Sequence, residues 1–165
     1  MNKHSRNFKI EIAKDQHLDI LIQLEKQQNV KPQSAKQFLK ELNDSTFINL
    51  ITCVSPNEKK QVYMGFCAGQ IIGDELHIYS LIIDQKYRRN GFGNLLIRNL
   101  IEQAKLAGVN KATLEVRLSN KVAISLYEAL GFTTAGVRKN YYIDNHEDAL
   151  IMWLEAIKDI KNVNT

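Results

Sequence analysis

The sequence predicts a mixed α/β (α+β) fold in one domain. Its core is a mostly antiparallel central sheet of about seven strands with about four helices, and the fourth strand is bulged. Three observations lead there. Stretches with apolar residues at every second position alternate with stretches at the helical period. Gly, Asn, Asp and Pro punctuate the joins between them. The 165 residues are enough for one hydrophobic core and too few for two comfortable ones.

The elements follow in order. Phe8, Ile10 and Ile12 alternate with polar neighbours, so 8–13 reads as the first strand. Asp15 stands where a helix cap belongs, and Leu18, Leu21, Ile22 and Glu25 carry the period to about Gln28. Ser34 opens a second, shorter helix with Phe38, Leu39 and Leu42 as its stripe. Strands follow at about 47–54 and 61–72 through a turn at Ser55–Lys60, and Gly73-Asp74 turns the chain into a fourth strand, 75–83. There the apolar phase runs Leu76, Ile78 and resumes at Leu81, Ile83, an odd offset that one extra residue near Tyr79-Ser80 explains as a bulge.

A polar loop then leads into a long helix reaching about Ala107. Phe92, Leu96, Leu100, Ile101 and Ala104 form its buried stripe, and Gly108 stands in the C-terminal cap position. The fifth strand is 111–117. A helix from Lys121 to about Leu130 ends at Gly131. Strands at 132–139 and 148–154 complete the domain, and residues after about 155 read as a fraying polar tail.

Composition narrows the function classes. No apolar run approaches the ~20 residues that span a bilayer, and no signal-peptide core follows the N-terminus, so a cytoplasmic protein with no membrane partner is expected. Cys53 falls opposite a residue near Val62 and Cys67 opposite one near Ile48, so the two read as separate buried thiols. Neither they nor His4, His17, His77 and His146 have metal-site spacing. A net charge of +4 and a pI near 9.0 suit a polyphosphate ligand as well as RNA. No aromatic-basic strand motif supports direct nucleic-acid binding.

The chemistry concentrates after the fourth strand. Arg88-Arg89-Asn90-Gly91-Phe92-Gly93 opens a helix, and a strand, a glycine loop and a helix N-terminus together make an anion trap. Gly91 and Gly93 let backbone N–H groups approach a phosphate closely. On pattern alone, Glu115 reads as a solvent-facing strand residue paired with a lysine, and Tyr127 as a core aromatic. Glu128 and Glu147-Asp148 read as solvated charges or as an acidic substrate patch.

The R-x-x-G-x-G loop after an apolar strand resembles the pyrophosphate loop of the GNAT acetyltransferase superfamily. It differs from the Walker loop, since no Gly-Lys-Ser/Thr follows. The likeness continues through Leu114-Glu115-Val116-Arg117, Ser119-Asn120, Leu126-Tyr127-Glu128, Leu130-Gly131-Phe132 and Arg138-Lys139-Asn140-Tyr141-Tyr142. Together these look like the ribosomal-protein-alanine N-acetyltransferase (RimI) branch. The likeness is strong over about 75–154 and holds only in outline before that.

The resemblance implies acetyl-CoA as co-substrate and a protein N-terminus, of a small-subunit ribosomal protein, as acceptor. Backbone groups of Leu81, Ile82 and Ile83 would hold the pantetheine arm. The loop Arg88, Arg89, Asn90, Gly91, Phe92, Gly93 and Asn94 would hold the pyrophosphate, and Asn120 would touch the cofactor. Glu115 would be the general base, Tyr127 the general acid, and the Tyr141-Tyr142 segment would line the acceptor groove. One departure stands out: where the branch often has Pro-Trp-Ser before the second helix, this chain has Lys31-Pro32-Gln33-Ser34.

Elementary chemistry is compatible with those roles. Acyl transfer needs a neutral amine, donors for a developing oxyanion and a proton for the departing thiolate. An α-amine of pKa about 7.8 is easier to deprotonate than a lysine near 10.4 by roughly 3.5 kcal/mol. A single carboxylate base therefore suits an N-terminus. A small amine or lysine acceptor, and a non-catalytic acyl-CoA-binding module, are the competing readings.

Overall fold

Period-two burial turns the strands into a sheet with helices on both faces. The computed structural model describes residues 8–28, 33–57 and 60–157. Its strands are β1 (Phe8–Ile12), β2 (Phe47–Asn57), β3 (Lys60–Ile72), β4 (Glu75–Ile83), β5 (Lys111–Arg117), β6 (Thr133–Tyr142) and β7 (Glu147–Leu154). Its helices are α1 (Leu18–Lys26), α2 (Ala35–Leu42), α3 (Phe92–Leu106) and α4 (Lys121–Ala129). The sheet order is β1-β2-β3-β4-β5-β7-β6, with every pair antiparallel except β4–β5.

Neighbouring residues on one strand serve opposite cores. Leu50, Cys67, Leu76, Ile78 and Leu114 pack with Leu96, Ile97, Leu100 and Ile101 of α3 and with Ile124 and Tyr127 of α4. Ile51, Phe66 and Ile82 pack with Leu21 and Leu24 of α1 and Phe38 of α2. Each such aliphatic side chain contributes about 1.5–3 kcal/mol on burial, so the two clusters anchor the helices firmly on either face.

The bulge is present. Ala68 pairs with Ser80 and Gly69 with Ile78, leaving Tyr79 as the extra residue of β4. The Gly73-Asp74 turn and the Ser34 cap, whose hydroxyl accepts from Gln37 N–H, also form as expected. Gly108, at φ 87°, ends α3 in the left-handed conformation.

Several expectations are corrected. Asp15 does not cap α1. Residues Asp15–His17 form a short 3₁₀ turn, where His17 Nδ1 accepts the Lys14 N–H and Asp15 Oδ1 accepts from Asn43. Phe92 is half-buried and meets the Phe8 ring edge-on at 5.9 Å, outside the α3 stripe, where Ile97 takes its place. β6 runs on to Tyr142, since the Asp148 carboxylate takes the Asn140 N–H and the Lys139 ammonium at an irregularity where Asn140 has φ 51°.

Cys53 faces Tyr63 and Cys67 faces Leu50, each displaced from the simple hairpin count by irregularities in the β2–β3 ladder. Both are free buried thiols. Part of the Ser55–Lys60 turn, Lys31 and Pro32 of the departing segment, and most of the expected tail lie outside the described residues. Among the described residues, no helix is long and apolar enough to cross a membrane.

Candidate functional site

The bulge and the parallel pair together open the sheet. β4 and β5 are hydrogen-bonded only from Glu75–Lys111 to Ile78–Leu114. Past Ile78, β4 stays on β3 and leaves β5, so among the described residues the backbone groups of 80–83 on the β5 side have no strand partner. The opening is a cleft of about 520 Å³. It gathers Leu81, Ile82, Glu115, Asn120 and Tyr127, which the sequence singled out, from three separate elements. Ile83 and the 88–94 loop are not among the residues that line it.

That loop is shaped by its backbone. Gly91 has φ 82° and nothing within 4 Å of where a Cβ would lie, and α3 begins there without a side-chain cap. The first intrahelical bond is Leu95 N–H to Gly91 O, so the N–H groups of the opening turn face outward. At Gly93 a Cβ would come within 3.1 Å of Leu126 Cδ1, so this glycine also lets α3 approach α4. Arg88 Nε donates to Ile83 O, and Arg89 adopts a left-handed φ of 62°. Asn90 donates to the Tyr87 and Arg88 carbonyls, and Asn94 Oδ1 accepts from Arg98. What the loop leaves available to a phosphate is chiefly backbone and two exposed guanidinium groups.

At the middle of the cleft, Glu115 sits on β5 with its carboxylate 3.1 Å from Arg138 Nε. Its partner is thus an arginine of β6, where strand pattern alone suggested a lysine. Tyr127 on α4 is 6% exposed and meets Phe132 edge-on. Burial pushes its phenol pKa upward, with Cys67 and Tyr142 adding to the shift. Asn120 accepts the Ala123 N–H through its side chain, so it caps α4 as well as lining the cleft.

The far wall uses residues that sequence reasoning missed. Arg117 follows Glu115 by two positions and so shares its face of β5. Its guanidinium bonds both Asp144 oxygens at 2.8 and 2.9 Å, Asn145 at 3.0 Å and Glu147 at 3.2 Å, and lies 3.8 Å from the centre of the Tyr142 ring. Glu147 also accepts the Ser119 N–H. Hydrogen bonds from Ser119, then Asn145 and Arg117, hold its pKa down to about 2. Burial pushes the Tyr142 phenol up to about 12.

Glu147 and Asp148 are thus partly exposed carboxylates that also fasten the β6–β7 corner through hydrogen bonds. Glu25 of α1, buried and bonded to the Gln33 N–H, also lines the cleft, and burial raises its pKa. The Leu114-Glu115-Val116-Arg117 run contained the signal for Arg117, through its period-two spacing from Glu115. For Glu25, sequence gave only a helical-face position.

Unpaired strand backbone, a helix start open to an anion, and a carboxylate and a phenol in one opening define a group-transfer enzyme acting on a phosphate-bearing donor. The chain belongs to the acetyltransferase (GNAT) family, whose sequence model matches residues 14–132. It is an acetyl-CoA-dependent N-acetyltransferase, and the backbone donors just described fit that donor.

A Bacillus subtilis (strain 168) protein, provisionally named [ribosomal protein bS18]-alanine N-acetyltransferase, is 33% identical over 149 residues, 90% of this chain and 93% of that one. The protein so named from Escherichia coli (strain K12) is 44% identical over 91 residues, 54% of this chain and 62% of its own length. The crystal structure of the ribosomal-protein-S18-alanine N-acetyltransferase from Escherichia coli superposes with a TM-score of 0.79 at 32% identity. It covers 96% of this chain and 99% of that one.

Proposed function

We propose that this protein, acting in the cytoplasm as one catalytic domain, acetylates the N-terminal alanine of a small-subunit ribosomal protein. The observation that carries this reading is the placement of Glu115 and Tyr127 in one cleft beside unpaired β4 backbone. Relatives named for bS18-alanine acetylation match nearly the whole chain.

In this mechanism the backbone of Leu81–Ile83 holds the pantetheine arm. The Arg88–Asn94 loop holds the pyrophosphate, and Asn120 contacts the cofactor beside the α4 cap. Glu115 takes the ammonium proton, directly or through water. The neutral amine then attacks the thioester carbonyl, forming the C–N bond. A β4 backbone N–H stabilises the oxyanion that develops. Collapse breaks the C–S bond, and Tyr127 delivers a proton to the departing thiolate.

The raised pKa of Tyr127 keeps the phenol protonated until that step. The same dry surroundings raise the proton affinity of the thiolate, so the transfer stays feasible.

The test is thiol release from acetyl-CoA with a peptide beginning in alanine, with mass spectrometry locating the acetyl group. Acetyl on the α-nitrogen is the expected result. Preference for polyamines, free lysine or a lysine side chain would overturn the acceptor assignment and leave the acetyltransferase class intact. Peptides differing only in the first residue give the preference for alanine.

A further inference from the structure

Arg117 has more bonds than a strand-end arginine needs, and all of them converge on one side of the cleft. Its guanidinium faces Asp144, Asn145 and Glu147 at the β6–β7 connection, and its flat side lies on the Tyr142 ring. Tyr142, Asp144, Asn145 and Glu147 all line the opening. The β6–β7 pairing is interrupted between Arg138 and Tyr142 and resumes at Tyr142–Glu147, so ladder hydrogen bonds do not by themselves hold this corner. The clamp supplies what the ladder lacks. Through Glu147 and the Ser119 N–H it also reaches the β5–α4 junction, next to Asn120.

We infer that Arg117 is a positioning residue for the acceptor. It holds the Tyr142 ring and the 144–147 corner as a preformed wall, so that an incoming peptide does not have to order them. Two properties of arginine are used at once. The planar fork satisfies three side-chain acceptors, and the face of the same group stacks on an aromatic ring. Side-chain and loop ordering on binding costs affinity, and a wall assembled in advance avoids that cost. The position of Arg117, two residues beyond Glu115 on the same strand face, ties the wall to the strand that carries the base.

The inference rests on the acceptor entering along this wall, as proposed above, and wild-type turnover with the alanine peptide tests that proposal by itself. The Arg117 result is a ratio of variant to wild type on whichever amine the wild type acetylates. Arg117→Lys keeps the charge but neither the fork nor the stack, and Arg117→Ala removes all three. Both are expected to raise acceptor KM about tenfold or more while kcat changes less than about threefold, the pattern of lost binding rather than lost chemistry.

The acetyl-CoA dissociation constant, measured by calorimetry, is expected to stay within about twofold of wild type for the same reason. Tyr142→Leu is expected to raise acceptor KM similarly, and the double variant to add little, because the two act as one unit. Amide hydrogen exchange over 141–147 should speed up in both Arg117 variants. Faster exchange with unchanged acceptor KM would make the clamp purely structural and overturn the inference. So would a full restoration of KM by Arg117→Lys, or a parallel loss of acetyl-CoA binding.

Discussion

The two walls of the cleft are made of different material. On the side proposed for the cofactor, what is offered is main chain: the stretch of β4 that leaves β5 and, beyond the cleft, the opening turn of α3 with the left-handed Gly91. On the side proposed for the acceptor, it is side chains brought from three places, Glu25 on α1, Glu115 and Arg117 on β5 and Glu147 on β7. Backbone donors have one geometry and admit few substitutes. Side-chain walls can be rebuilt residue by residue, so the same donor can be kept while acceptors change. The two walls should therefore fail differently when perturbed.

The largest effect is expected where the walls meet. Glu115→Gln and Tyr127→Phe should stay folded and bind acetyl-CoA, yet lose roughly 10²–10⁴-fold in turnover. Raising pH should partly rescue Glu115→Gln, because an α-amine with a pKa near 7.8 then loses its proton unaided. It should not rescue Tyr127→Phe, since alkali supplies no proton to a thiolate. Near wild-type turnover of Glu115→Gln at neutral pH would move the base to another residue or to water.

Changes to the backbone wall come next. Gly91→Val should weaken acetyl-CoA binding with acceptor preference unchanged and lower the melting temperature as well, since valine is strained at φ 82°; calorimetry on the folded variant separates binding from folding. Gly93→Val should also do both kinds of damage, for another reason: its side chain meets Leu126, and overpacking costs about 1–3 kcal/mol of stability. Arg89→Ala should cost less than either, being one exposed charge. Asn120→Ala should raise KM for acetyl-CoA and remove a helix cap valued at about 1 kcal/mol. A lower melting temperature with unaltered kinetics would leave Asn120 only the cap. Acetyl-CoA binding unchanged in both glycine variants would reassign the phosphate loop.

The smallest effect concerns the side-chain wall in acid. The folded-state pKa of Glu147, about 2, lies below its ordinary value of about 4.3. Its contribution to stability is therefore complete above about 4.3 and disappears as pH falls toward 2. Wild type should melt higher than Glu147→Gln near neutrality, and the two curves should converge on acidification. A gap that stays constant down to pH about 2 would show that the hydrogen bonds around Glu147 do not depend on its charge.

This difference between walls also decides how much could be read in advance. The strands and helices were legible because each carries its own period, and the bulge because Leu76, Ile78, Leu81 and Ile83 fall out of phase. The turn that opens α3 was legible because a left-handed backbone position leaves a glycine behind, at Gly91. The Arg117 clamp was not. It joins residues nearly thirty positions apart, and its acidic members look like ordinary surface charge until the hairpin folds. Asp15 misled for the opposite reason: a suitable cap residue was present, but it lies within a 3₁₀ turn and its carboxylate accepts from Asn43 of the α2 end.

Tyr79 carries a consequence of another kind. Removing it would place Ser80 directly after Ile78, and the partners Ala68 and Gly69 are already consecutive, so the β3–β4 ladder would close without a gap. Leu81 and Ile83 would keep the face they share with Leu76 and Ile78, and Ile82 would keep the other. The shortened strand would be a more regular one, free to continue alongside β5 toward Val116, and the cleft would zip shut. The opening thus depends on a count of residues rather than on the identity of any of them. A scan that replaces side chains one at a time would pass over it, while a single deletion would yield a tidier protein without the cleft.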